Sequence, residues 1–86
     1  MSLEADRVGA LALKKLTSLT GLAPSSLVGI VKEDDGWKVT IEMVEKKSIP
    51  ESLDILAGYD VWLDGNGDLK GFTRSRLRKR SDTEQP

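Results

Sequence analysis

The sequence predicts an α+β domain in which one N-terminal helix packs on one face of a four-stranded antiparallel meander sheet. Three observations lead there. A stretch near the start repeats its apolar residues at helical spacing, and the stretches after it alternate with a period of two. The turns between those later stretches are short and rich in Gly and Asp, too short for the crossover that parallel strands require. Residues 1–80 are expected to form this single domain, with 81–86 as a polar C-terminal tail.

The helix is expected from about Glu4 to Thr20, in "EADRVGALALKKLTSLTG". Val8, Leu11, Ala12, Lys15, Leu16 and Leu19 fall on one face, and only Lys15 is polar there. Its aliphatic stem can lie along the seam while the ammonium reaches water. Acidic Glu4 and Asp6 suit the positive end of the helix dipole, and Gly21 is placed to end it. Gly9 weakens the middle slightly. The simplest use of the stripe is to cover a sheet.

After "LAPSS", the run "LVGIVK" forms a short apolar strand, and "EDDG" makes a turn in which Gly36 is free to take positive φ. In "WKVTIEMVEKK", Trp37, Val39, Ile41 and Met43 point one way and Lys38, Thr40 and Glu42 the other. Pro50 interrupts pairing in "SIPESLDILAG". "YDVWLD" restores alternation, with Tyr59, Val61 and Leu63 on one face and Asp60 and Trp62 on the other. "GNG" turns the chain into a last strand, "DLKGFTRSRLR".

The register of that last hairpin decides where Phe72 points. If Leu63 sits opposite Leu69, Leu69 and Leu77 face the core, and Phe72 points outward with Trp62, Arg74 and Arg76. If a two-residue turn forms at Asn66-Gly67, Phe72 lies across from Val61 and turns inward. The first register is favoured, because it pairs leucine with leucine and groups the basic residues in solvent.

The composition argues against catalysis. The 86 residues contain no His and no Cys, so the usual general base near neutral pH and all thiolate chemistry are missing. Absence of Cys fits a cytoplasmic location. The chain is expected not to be an enzyme and to hold no metal and no cofactor. No apolar run approaches the roughly 18 residues of a membrane span, and no signal-peptide pattern opens the sequence. "DGNGD", Asp64 to Asp68, resembles the opening of a calcium loop, but Leu69 stands where that loop needs Gly and Ser75 where it needs Glu. A plain turn is the better reading. Glu42, Glu45, Asp54 and Asp60 suit cross-strand partners for Arg74, Arg76 or Lys70 rather than an acid/base pair.

Charge is unevenly spread. Residues 1–68 carry 7 Lys/Arg against 12 Asp/Glu, whereas the next stretch holds Lys70, Arg74, Arg76, Arg78, Lys79 and Arg80 with no acid among them. Trp62, Phe72, Arg74, Arg76 and Arg78 are the candidate binding residues, since interface cores favour Trp, Phe and Arg. A protein partner suits them better than nucleic acid, because the acidic remainder repels phosphate. The alternative remains a small regulatory module that binds nucleic acid through the basic strand and tail.

Residues 36–76 carry a further signal. Gly36-Trp37, Val39, Glu42, Glu45, Ile49-Pro50, Asp54, Leu56 and the run Tyr59-Asp60-Val61-Trp62-Leu63-Asp64 come in an order that resembles the gas vesicle protein O (GvpO) family, followed by Gly67, Leu69, Gly71, Phe72, Arg74 and Arg76. Leu77 departs from it, standing where a tyrosine is common. The resemblance implies a cytoplasmic accessory protein of gas vesicle formation, acting by contacts with other gas vesicle proteins, structural or accessory. Without a long apolar run no membrane partner is expected, and a homodimer through an open sheet edge is left undecided.

Overall fold

The structure is a computed structural model that describes residues 4–80; the expected tail, 81–86, lies outside the described residues. Helix α1 (Ala5–Thr20) leads into strands β1 (Ala23–Glu33), β2 (Gly36–Lys46), β3 (Ile55–Asp64) and β4 (Leu69–Lys79), with one 3-10 turn at Glu51–Leu53. The four strands pair antiparallel in the order β1-β2-β3-β4, and α1 lies over β1, β2 and β3. The expected α+β meander is therefore the observed fold.

Helix α1 buries Val8, Gly9, Ala12 and Leu16. Val8, Ala12 and Leu16 are four apart and Gly9 lies beside them, so they form one stripe, which seals against Val39, Ile41 and Met43 of β2 and Ala57, Tyr59, Val61 and Leu63 of β3. Gly21 ends the helix at φ 72°, its N–H bonded to the Thr17 carbonyl at 2.9 Å. Two details differ from expectation. Leu19 is 55% exposed rather than buried. Gly9 is a packing residue, because a methyl group there would come within 3.2 Å of both Ile30 and Leu27 of β1. That contact also fixes which flank of the helix faces β1.

The strands are longer than their clearest sequence signals. β1 begins at Ala23, before the apolar run, and two bulges in it fall between Pro24 and Ser26 and between Leu27 and Gly29. β3 begins at Ile55, where Leu56 pairs with Val44 on the face away from α1; both are buried, apart from the helix-side core. Gly36 corrects a second expectation. Its φ is not positive, and among the described residues only Gly21 and Gly67 have positive φ. Gly36 is needed for closeness instead: it is wedged between Glu33 and Asp64, and a Cβ there would collide with the Leu63 carbonyl oxygen.

Candidate functional site

The last hairpin combines both expected registers. Leu63 pairs with Leu69, yet Val61 pairs with Phe72, because Lys70 is an extra residue bulged out between them. A bulge shifts the alternation by one, so Phe72 turns to the helix side of the sheet. Its ring lies 6.3 Å from that of Tyr59, tilted by 44°. A second bulge, at Ser75, lets Arg74 pair with Tyr59 while Arg76 pairs with Gly58. The Ser75 hydroxyl donates to the Gly58 carbonyl at 2.9 Å and holds the bulge in place.

The five candidate residues, Trp62 on β3 and the other four on β4, consequently divide between the two faces of the sheet. Phe72 and Arg74 lie on the helix side with Leu77, which pairs with Ala57. Trp62, Arg76 and Arg78 lie on the open side, in register with Gly71, Gly58 and Leu56. The expectation that Phe72 and Arg74 face outward with Trp62 and Arg76 is corrected by the two bulges. Alternation alone could not reveal them, since a bulge is set by the backbone and by the fit of neighbours. Gly71 and Ser75, small residues beside or at the extra positions, are the only local signal.

The helix side of β4 is incompletely covered. Phe72 is 40% exposed and Leu77 is 51% exposed, while Tyr59 beneath them is nearly sealed. Burial raises the Tyr59 hydroxyl pKa above its ordinary value, and the charge of Glu45 adds to the rise while Arg74 opposes it. Arg74 Nη1 meets Glu45 Oε1 at 2.9 Å, whereas Glu45 Oε2 is buried without a hydrogen-bond partner.

On the open side, the acids of β2 and of the β2–β3 connection engage the basic strand. Arg78 binds Glu42 through two bonds of 2.7 Å, and the Ser26 hydroxyl approaches the same carboxylate at 3.5 Å. The hydrogen bonding of Arg78 holds the Glu42 pKa below its ordinary value, against burial, which acts the other way. Asp54 is buried and accepts the Ser48 N–H at 2.7 Å, the largest cause of its lowered pKa. Arg80 binds the other Asp54 oxygen at 3.2 Å, and its own N–H bonds the Asp54 carbonyl at 2.7 Å. Thus Glu42, Glu45 and Asp54 serve as cross-strand partners, as expected, although the first and last engage Arg78 and Arg80. Asp60 accepts the Thr40 hydroxyl at 2.9 Å. Trp62 lies under the Lys38 ammonium, 5.9 Å from its ring centre.

The Asp64–Asp68 segment is a turn. The Asp64 carboxylate accepts the N–H groups of Asn66 and Asp68 at 2.9 and 3.0 Å, and Gly67 has φ 89°. Among the described residues no group of three or more acids converges so as to hold a metal ion, and no helix is long and apolar enough to cross a membrane.

Comparison with known proteins bears on what such a strand serves. Residues 1–84 match the family described as gas vesicle synthesis protein GvpO. Gas vesicle protein O of a Streptomyces species is 32% identical over 74 residues, covering 86% of this chain and 58% of that protein. Gas vesicle protein O1 of Halobacterium salinarum is 33% identical over 60 residues, and gas vesicle protein O of Haloferax mediterranei 31% over 61. Those alignments each cover 66% of this chain, and 50% and 44% of the two relatives. The chain thus spans about half the length of the curated relatives it matches. No solved structure matches it.

Proposed function

The chain belongs to the GvpO family of gas vesicle synthesis proteins, and from that premise we propose that it acts in gas vesicle formation through protein–protein contacts rather than catalysis. Its contact surface is the outer strand β4 with Trp62 of the adjoining β3, gripped from both sides: Phe72 and Arg74 on one, Trp62, Arg76 and Arg78 on the other.

One observation carries this reading. Arg74, Arg78 and Arg80 are already paired with Glu45, Glu42 and Asp54. Cations neutralised from within have less to offer a phosphate backbone, whose binding depends on unspent positive charge. Arg74, paired with Glu45 beside half-exposed Phe72 and Leu77, instead gives the helix side of β4 the character of a protein interface. The proposed location is the cytoplasm, at sites of gas vesicle assembly.

The test is affinity capture of the full chain co-expressed with neighbouring gas vesicle genes, with and without nuclease. The double variants Phe72→Ala/Arg74→Ala and Trp62→Ala/Arg76→Ala are run alongside. A gas vesicle protein recovered after nuclease, and diminished by at least one double variant of preserved fold, supports the proposal. Recovery abolished by nuclease transfers the role to nucleic acid.

A further inference from the structure

Three strand spacings of about 4.8 Å make a four-stranded sheet roughly 14 Å wide between its outer strands, whereas a helix with its side chains is about 10 Å across. One helix does not cover such a face. Here α1 sits over β1, β2 and β3, and Gly9 draws it against Leu27 and Ile30 of β1. One strip left uncovered is the helix side of β4, where Phe72 and Leu77 stand exposed above nearly sealed Tyr59 and fully buried Ala57. Successive helical residues turn by about 100°, so the flank of α1 opposite Gly9 carries Leu11 and Lys15, with exposed Leu19 near the seam. An apolar trough therefore runs between α1 and β4, with Leu11 and Leu19 on one wall and Phe72 and Leu77 on the other.

We infer that this trough is the docking site for an acidic amphipathic helix of a partner protein, seated beside α1 as the second helix of the layer. Shape favours a helix, because a sheet face next to a packed helix is completed by another at about 8–10 Å spacing. Charge selects its type. Arg74 on the trough side of β4 is neutralised by Glu45, so the charge of the trough comes from Lys79 on the same side of β4 and Lys15 on the flank of α1. A second copy of α1 fits poorly, since it would bring Arg7, Lys14 and Lys15 with a single acid, Asp6. An occupant with leucines along one stripe and glutamates on its flanks meets both demands.

Only the partner's being a gas vesicle protein rests on the function proposed above; the trough does not. The experiment is a titration of the isotope-labelled chain, followed by amide shifts, with a designed helical peptide of leucine stripe and glutamate flanks. A matched peptide with lysine in place of glutamate is the control. The expected shifts map to Phe72, Arg74, Leu77, Leu11 and Leu19, and the lysine peptide binds about tenfold or more weaker. Leu77→Glu, at an exposed position, keeps the fold and weakens binding of the acidic peptide by a similar factor. Absence of shifts at millimolar peptide overturns the inference, as do equal binding of both peptides or shifts confined to Trp62, Lys38 and Val31. If the acidic peptide binds in the trough but no gas vesicle protein is ever captured, the functional proposal fails and the trough stands.

Discussion

Arg78 grips Glu42 through Nε and Nη2 of its guanidinium group, at 2.7 Å each, although a whole strand lies between them. Arg78 is on β4 opposite Leu56, and Glu42 is on β2 opposite Gly58, so the side chain must cross β3 between those two positions. Gly58 offers no side chain in the way. The pair ties the outer strand to the strand beyond its neighbour, which no backbone hydrogen bond can do.

Because the contact is a fork on a carboxylate, lysine does not replace it. Arg78→Ala is expected to cost about 1 kcal/mol, or roughly 4–8 °C in Tm for a domain of this size. Arg78→Lys should lose most of the same amount. Thermal melts of the three proteins decide: an unchanged Tm in Arg78→Ala shows that the pair contributes nothing net.

Tyr59 is the sole tyrosine, so its ionisation can be followed by ultraviolet absorbance without ambiguity. Its midpoint is expected above the ordinary value of 10.0, chiefly through burial. Glu45→Gln removes a neighbouring negative charge and should lower the midpoint, whereas Arg74→Ala removes a positive one and should raise it. Shifts of the same sign in both variants contradict the opposed influence of Glu45 and Arg74 on this hydroxyl. A raised folded-state value also means that stability from the neutral phenol, complete below the ordinary value of 10.0, declines as pH climbs through the folded midpoint.

Two glycines, Gly36 of β2 and Gly71 of β4, separate close approach from chain flexibility. Gly36→Ala drives a methyl group into the Leu63 carbonyl and should cost about 2–4 kcal/mol. Gly71→Ala meets no atom within 4 Å and should change stability by less than about 0.5 kcal/mol. Denaturant unfolding of both variants checks the contrast, and equal losses would undo it.

How much of this is legible in the sequence varies by element. In β2, Val39, Ile41 and Met43 alternate with Lys38, Thr40 and Glu42, and all three apolar residues are fully buried, because one covered face imposes a period of two. Tyr59, Val61 and Leu63 are legible for the same reason. The alternation of β4 misleads, since the extra residues Lys70 and Ser75 each reverse the facing of the positions after them. That is why Phe72 and Arg74 part from Trp62 and Arg76. Gly36 is visible as a glycine but not as a contact, because the carbonyl it admits belongs to Leu63, far along the chain on the next strand.

Leu16 and Leu19 share a residue type and a helix yet differ wholly in burial, at 1% and 55% exposure. Leu16→Ala should open a cavity against the sheet and cost about 2–4 kcal/mol. Leu19→Ala should cost less than about 0.5 kcal/mol, as an exposed substitution away from the core does. Comparable losses would place Leu19 under cover that the fold does not provide. The same substitution should weaken the acidic peptide, because Leu19 forms part of the trough wall.

Acid unfolding brings Glu42 and Asp54 together. Both carboxyl pKa values lie below their ordinary 4.5 and 3.8, the first mainly through Arg78, the second mainly through the Ser48 N–H with Arg80 adding to it. With depressed folded-state values, the unfolded chain takes up protons first as pH falls. Stability from these groups is therefore complete above the ordinary values and lost as pH drops through the lowered ones. Glu42→Gln with Asp54→Asn should lower stability at pH 7 and flatten its fall between about pH 5 and pH 2. Asp54→Asn keeps an acceptor for Ser48 while losing the ion pair with Arg80, so Asp54→Ala should be the more damaging of the two. Denaturant midpoints measured across this range decide. An acid limb as steep in the double variant as in the parent would assign the loss to other carboxylates, and the clamp between Asp54 and Arg80 would then hold the end of β4 without governing its response to acid.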